Sequence, residues 1–273
     1  MVEDYYELQI NPQSQYELFL DLISALTDEA IEESTGCITL RSEENLEEIE
    51  YGIIEFSKQM NIDCDTKLSK LKNEDWVNKY KEAVKAVEVG KFYIHPTWEQ
   101  SKNDKLNIII DPALSFGSGH HETTSNCLLA MGKYVTKGNS LLDVGTGSGI
   151  LAIGASKLDA VVDICDTDDF AVSDACENFK RNDAKLNKSW VGSATKSQNT
   201  YDIVVANIVA DVLIMIEKDL KKCLKDDGIL ILSGILDKHI DKVLKKYKSL
   251  EQLEVIQKNE WVTVVFRNKQ ELI

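Results

Sequence analysis

With 273 residues and 43% apolar side chains, the chain has material for one large domain, or a large and a small one, around a buried core. No apolar run approaches the roughly 18 residues that cross a bilayer, and the start, Met1-Val2-Glu3-Asp4, is acidic where a secretion signal is basic. A cytoplasmic protein without a membrane partner is expected. The net charge of −15 argues against direct nucleic-acid binding, and the 6 cysteines, with no Cys-x-x-Cys pair, read as reduced and mostly buried.

The charge is unevenly placed. Residues 1–60 hold 15 Asp or Glu against Arg41 and Lys58, a net of −13, which leaves −2 of the total −15 for the remainder. Two readings of this acidic block are open: a surface that steers a basic protein partner, or solvated helix faces. Within it, Tyr5 to Ile10 reads as a strand, and Tyr16, Phe19, Leu20, Leu22, Ile23 and Leu26 form a helical stripe. Cys37 to Leu40 reads as a second strand, Leu46, Ile49, Ile53, Ile54 and Phe56 as a second helix, and Ile62 to Leu68 as a short third strand. This order suggests a small α+β domain of ferredoxin-like type over residues 1–70.

Residues 71–98 are expected to be a connector: a charged helix from Asn73 to Val89, stopped by Gly90, and then an extended lead-in through Phe92 to Trp98. From residue 99 to 273 the chain repeats strand and helix. Continuous apolar strands are expected at Leu106 to Ile110, Leu141 to Val144, Val161 to Cys165, Asp202 to Ala206 and Ile229 to Ser233. Helices are expected over Thr123 to Tyr134, Ile150 to Leu158, Phe170 to Asn182, Val209 to Leu224 and Lys238 to Tyr247. The pattern implies a doubly wound, Rossmann-like parallel sheet. Two final strands, Leu253 to Lys258 and Trp261 to Phe266, are separated only by Asn259-Glu260, which permits only an antiparallel pair.

The chemistry concentrates at Asp143-Val144-Gly145-Thr146-Gly147-Ser148-Gly149, a glycine-rich turn between a strand and a helix. Such a turn lets the backbone approach a ligand at a helix N-terminus. Asp166, with Asp168 as its fallback, ends the next strand, where a carboxylate can accept both ribose hydroxyls of an adenosine. The alternating glycines Gly145, Gly147 and Gly149 do not match the dinucleotide spacing, which disfavours a nicotinamide cofactor. Asp143 would repel phosphate but suit a cationic ligand, and S-adenosylmethionine carries a sulfonium and no phosphate. A plain strand-to-helix corner is the competing reading.

Upstream, Asp111 to Thr124 contains Phe116-Gly117-Ser118-Gly119-His120-His121-Glu122-Thr123-Thr124, a loop suited to wrapping the methionine part of the cofactor, with Thr123 or Thr124 bonding its polar end. Adjacent histidines point apart and His-Glu-x-x-His is absent, so no metal is expected; capping a helix is the other reading of these polar residues. At Ala206-Asn207-Ile208 one amide lies at the carboxyl edge of the sheet, where its carbonyl could accept a hydrogen bond from an amine nucleophile. It could equally cap the helix expected from Val209.

Taken together, the Phe116 to Thr124 loop, the Asp143 to Gly149 turn, Asp166-Thr167-Asp168, Ala206-Asn207-Ile208, Ser233-Gly234-Ile235-Leu236 and Glu260-Trp261 resemble the PrmA family, class I methyltransferases of ribosomal protein eleven of the large subunit. The likeness runs from about residue 74 to the C-terminus, and Ser115, Ser118 and Asp169 depart from the usual Ala, Thr and Pro. The resemblance implies an enzyme that trimethylates lysine side chains and the α-amine of a basic ribosomal protein, and a monomer is expected. Thr124, Gly145, Asp166 and Asn207 would contact S-adenosylmethionine, joined by Phe116, Gly117, Asp143 and Gly147, with Asn207 also acting in catalysis. A class I methyltransferase of another protein or of a small molecule is the alternative.

Overall fold

A computed structural model describes residues 4–27, 29, 31–34, 36–72, 85–111 and 121–269. The chain forms two compact units, residues 1–83 and 84–273. In the first, strands Asp4–Pro12 (β1), Ile31–Ser34 (β2), Cys37–Ser42 (β3) and Cys64–Lys72 (β4) form an antiparallel sheet in the order β2-β3-β1-β4. Helices Tyr16–Leu26 (α1) and Glu47–Met60 (α2) complete the unit. Alternation buries Leu8 and Ile10 of β1 with Ile38 and Leu40 of β3, while the helical spacing of Phe19 and Ile23 turns them into the same core. Phe19 meets Phe56 edge-on with centroids 5.5 Å apart. Both bases of the first 60 residues pair within the unit: Arg41 with Glu7 and Glu32, and Lys58 with Glu55. Glu43, Glu44, Glu47 and Glu48 remain exposed.

The second unit opens with Val87–Val89 (β5), Phe92–His95 (β6) and Leu106–Ile109 (β7), followed by helix Glu122–Tyr134 (α3) and strand Ser140–Val144 (β8). Then come Ile150–Lys157 (α4), Val161–Asp166 (β9), Asp169–Arg181 (α5), Lys188–Val191 (β10) and Tyr201–Asn207 (β11). Two short helices, Ala210–Met215 (α6) and Glu217–Lys222 (α7), lead to Leu224–Leu236 (β12), Ile240–Lys246 (α8), Glu251–Lys258 (β13) and Trp261–Arg267 (β14). Seven strands form one sheet in the order β10-β9-β8-β11-β12-β14-β13. The first five are parallel, and β14 runs antiparallel to both β12 and β13.

Successive residues of each central strand face opposite sides, so the sheet is buried on both. Leu141, Val205 and Ile231 pack with Leu128, Met131 and Leu151 on one face; Leu142, Val204 and Leu230 pack with Leu213, Leu220 and Val243 on the other. The chain winds outward from β8 through β9 to β10 and then returns to β11 on the other side of β8. The carboxyl ends of β8 and β11 therefore flank a topological switch point, where open α/β sheets bind ligands.

Several expectations need correction. Leu106–Ile109 is a strand, but it pairs in parallel with β6 in a separate three-stranded sheet, β5-β6-β7. The Asn182 amide occupies its other edge, accepting from the Ile109 N–H and donating to the Ile109 carbonyl at 2.7 Å each, so that edge is closed to the main sheet. Most of the helix expected over residues 73–89 lies outside the described residues, and Val87–Val89 at its end is strand. The helix expected from Val209 to Leu224 breaks at Ile216, which ends α6 and starts α7. Strands β2 and β10 were not expected. Among the described residues no helix is long and apolar enough to cross a membrane.

Candidate functional site

The switch point opens into a cavity of about 570 Å³. Gly145, Thr146 and Gly147 line it from the turn after β8, Asp166 and Thr167 from the end of β9, Gly192 and Ser193 from the end of β10, and Asn207 from the end of β11. Thr124, from the first turn of α3, lines it as well. Sequence spacing placed Thr124, Gly145, Gly147, Asp166 and Asn207 at strand or helix ends, and the fold brings all five to one cleft. Phe116, Gly117 and the rest of 112–120, including His120, lie outside the described residues.

The glycine turn is held from two sides. The N–H groups of Gly145 and Thr146 donate to the Cys165 carbonyl at 2.9 and 3.2 Å, and the Gly147 N–H donates to Asp166 Oδ2 at 3.0 Å. Gly145 sits at φ 72°, and a Cβ there would lie 2.5 Å from Ile208 Cγ2, so only glycine lets the turn pass against the residue after Asn207. Asp166 also accepts from the Asp168 N–H at 3.2 Å, whereas Asp168 caps α5 by accepting from the Phe170 N–H at 3.0 Å. The two acids thus divide their work: Asp166 lines the cleft, and Asp168 starts a helix.

Asp143 is 1% exposed, lies beneath the turn, and is not part of the cavity wall. Its Oδ2 accepts from the Thr146 hydroxyl at 2.9 Å, and the carboxyl also faces the backbone N–H of Ala152 in α4. Burial pushes this carboxyl up to about 7, with the neighbouring Asp166 charge adding to the rise and the Thr146 hydroxyl opposing it.

Asn207 does not cap the following helix, whose first turn is preceded by Val209 with no side-chain cap. Instead its Nδ2 donates to Thr124 Oγ1 at 3.4 Å, and its Oδ1 is buried with no partner. An unpaired buried carbonyl costs about 1–3 kcal/mol, and this one belongs to a residue that lines the cavity. His121 caps α3, its Nδ1 accepting from the Thr123 N–H at 3.4 Å, and meets the Trp261 ring edge-on at 4.8 Å; both rings line the cavity. Among the described residues no three His, Cys, Asp or Glu side chains cluster as metal ligands.

The ribosomal protein L11 methyltransferase (PrmA) family model matches residues 9–269. This chain belongs to the PrmA family. It is 45% identical to the ribosomal protein L11 methyltransferase of Campylobacter concisus, covering 99% of this chain and all of that one, and 51% identical to that of Nitratiruptor sp. over 87% of each. A solved ribosomal protein L11 methylase from Lactobacillus delbrueckii subsp. bulgaricus superimposes with a TM-score of 0.64 at 30% identity, covering 68% of this chain and 99% of that one.

As a PrmA-family site, the cleft has a wall that the sequence reading missed. Gly192 and Ser193 follow β10, a four-residue edge strand whose two apolar residues, Trp190 and Val191, are too short a run to mark a strand end. Ile208, Val209, Val212, Met215 and Ile216 form the apolar side, and Val209 and Met215 are 64% and 75% exposed although they line the cavity. The sequence shows all but Ile208 only as part of the helix expected over Val209 to Leu224.

Proposed function

We propose that this chain transfers methyl groups from S-adenosylmethionine to amino groups of ribosomal protein L11, the activity its relatives are named for. The observation that carries the reading is the unpaired, buried Oδ1 of Asn207, a residue lining the same cleft as Asp166. Asp166 would hold the ribose hydroxyls, the Gly145 to Gly147 backbone would lie against the cofactor, and Thr124 would meet its polar end. Phe116 and Gly117 are assigned to the same ligand by motif alone. Asp143 would act from below, holding the turn through Thr146.

When bound, the cofactor supplies an electrophilic methyl for in-line displacement. The protein's part is to align a neutral amine, and positioning of this kind can contribute about 7–11 kcal/mol. Asn207 Oδ1 accepts an N–H of the amine and so aims its lone pair. Lysine has a pKa of about 10.4, and the apolar wall of Ile208, Val209, Val212 and Met215 disfavours its charged form by desolvation. Such a wall also suits the methylene stem of a lysine.

The β-α-β-β-α-β order and β2-β3-β1-β4 arrangement of the first unit support a ferredoxin-like domain. Its exposed Glu43, Glu44, Glu47 and Glu48 would draw in a basic substrate. The reading includes a cytoplasmic monomer that makes no direct contact with nucleic acid, in keeping with the net charge of −15.

The test is mass spectrometry of L11 after incubation with isotope-labelled cofactor, using wild type and Asn207→Ala. Wild type should add methyl mass to amines, and the variant should be slowed about tenfold or more in single turnover, a larger loss than that of its cofactor affinity. No mass gain with the intact enzyme would end the proposal; a variant as fast as wild type would remove the orienting role.

A further inference from the structure

The Ser233-Gly234 pair belongs to the motifs read from the sequence, yet no role in binding or catalysis follows from its composition. It lies in β12 directly opposite Asn207 of β11, where the pairing of β12 with β14 shifts register between Leu232 and Ile235. A bulge of this kind re-aims what it carries, and bulges cluster beside active sites. Gly234 has φ 80°, and a Cβ there would lie 2.4 Å from the Ile208 carbonyl oxygen, so the bulge presses directly on the turn that follows Asn207.

Ser233 is completely buried and does not line the cavity. Its carbonyl accepts from the Ile208 N–H at 3.2 Å, which fixes the backbone beside Asn207. Its Oγ donates to the Thr123 carbonyl at 3.3 Å, which fixes the backbone beside Thr124, and lies 2.6 Å from Thr263 Oγ1 of β14. Either hydroxyl of the Ser233–Thr263 pair can donate, and the buried pair holds Ser233 Oγ beside the Thr123 carbonyl. Asn207 and Thr124 are also linked directly by the Asn207 Nδ2 to Thr124 Oγ1 bond at 3.4 Å, longer than the 3.2 and 3.3 Å contacts made through Ser233.

We infer that Ser233 is a positioning residue for methyl transfer: one residue ties the backbone beside Asn207 to the backbone beside Thr124 and thereby sets where the unpaired Asn207 Oδ1 points. This rests on the proposed role of Asn207 in aiming the amine. Ser233 touches neither ligand, so its loss should disturb alignment more than cofactor binding. Misplacement of reacting groups by about 1 Å costs on the order of a hundredfold in rate.

The experiment compares Ser233→Ala, Thr263→Val, Thr263→Ser and Asn207→Ala in the full chain. Each is measured for single-turnover methylation of L11 at saturating cofactor, for cofactor Kd by calorimetry, and for melting temperature. Ser233→Ala should slow transfer about tenfold while Kd stays within about threefold, and Thr263→Val should act in the same direction. Thr263→Ser, which keeps the hydroxyl, should return to within about twofold of wild type. Ser233→Ala at wild-type rate, a loss of rate matched by an equal loss of affinity, or Thr263→Ser as slow as Thr263→Val would each overturn the inference. Should Ser233→Ala fail to fold, the Val and Ser variants at Thr263 decide alone. Asn207→Ala at wild-type rate would refute the underlying role of Asn207, whereas a slow Asn207→Ala beside a fast Ser233→Ala would refute only the role of Ser233.

Discussion

Replacing Asp166 with Ala removes the carboxylate that ends β9. Two N–H groups of the chain already bond it, Gly147 at 3.0 Å and Asp168 at 3.2 Å. A carboxylate offers about four lone-pair sites, so about two remain, the number a ribose diol requires. The bonds to Gly147 and Asp168 hold the carboxylate in place before any ligand arrives, which reduces the ordering cost of binding. Losing a hydrogen bond to a charged acceptor costs about 1.5–3 kcal/mol, and about 1.4 kcal/mol is tenfold in affinity. Kd for S-adenosylmethionine should therefore rise about tenfold to a hundredfold. Calorimetry should show the same loss for S-adenosylhomocysteine, since both ligands carry the same ribose. A Kd within about twofold of wild type would refute the assignment, and so would a loss confined to the charged ligand, which would indicate a purely electrostatic role.

Gly145→Ala should destabilise the fold by about 1–2 kcal/mol from the left-handed backbone alone, and more from the approach of its Cβ to Ile208 Cγ2; thermal melting should fall by several degrees and cofactor affinity should drop with it. Because burial raises the folded-state Asp143 carboxyl to about 7 from an ordinary value of 3.8, this group favours the fold fully below about pH 4 and loses that contribution as pH rises to 7. At about 1.36 kcal/mol per unit the swing is on the order of 4 kcal/mol. The melting temperature of Asp143→Asn relative to wild type should climb between pH 4 and 7, and a difference that does not change with pH would contradict the buried-carboxyl account. Changing Glu43, Glu44, Glu47 and Glu48 together to Gln should slow association with L11 and flatten its salt dependence in stopped-flow measurements, with the dissociation rate little altered.

Much of the chemistry was legible in the sequence because it depends on local rules. Alternating glycines after Leu141-Leu142, an acid at the end of the next apolar run and an amide after Val204-Val205-Ala206 are strand-end signals. A parallel sheet gathers strand ends at one edge whatever its other details, so local pattern alone places Gly145, Asp166 and Asn207 together. Where partners come from distant segments, the sequence was silent. The apolar pattern of Leu106–Ile109 marks a strand but not its sheet, which depends on Phe92–His95 pairing at one edge and on the Asn182 amide, 73 residues away, at the other. Asp143 reads as a charge offered to a ligand, yet the packed turn above it makes it a buried carboxyl bonded to Thr146. Nor does the sequence reveal that Asn207 leaves a carbonyl unpaired or that Ser233 joins β11 to α3, because a hydrogen bond depends on angles and distances of a few tenths of an ångström that only the assembled fold sets.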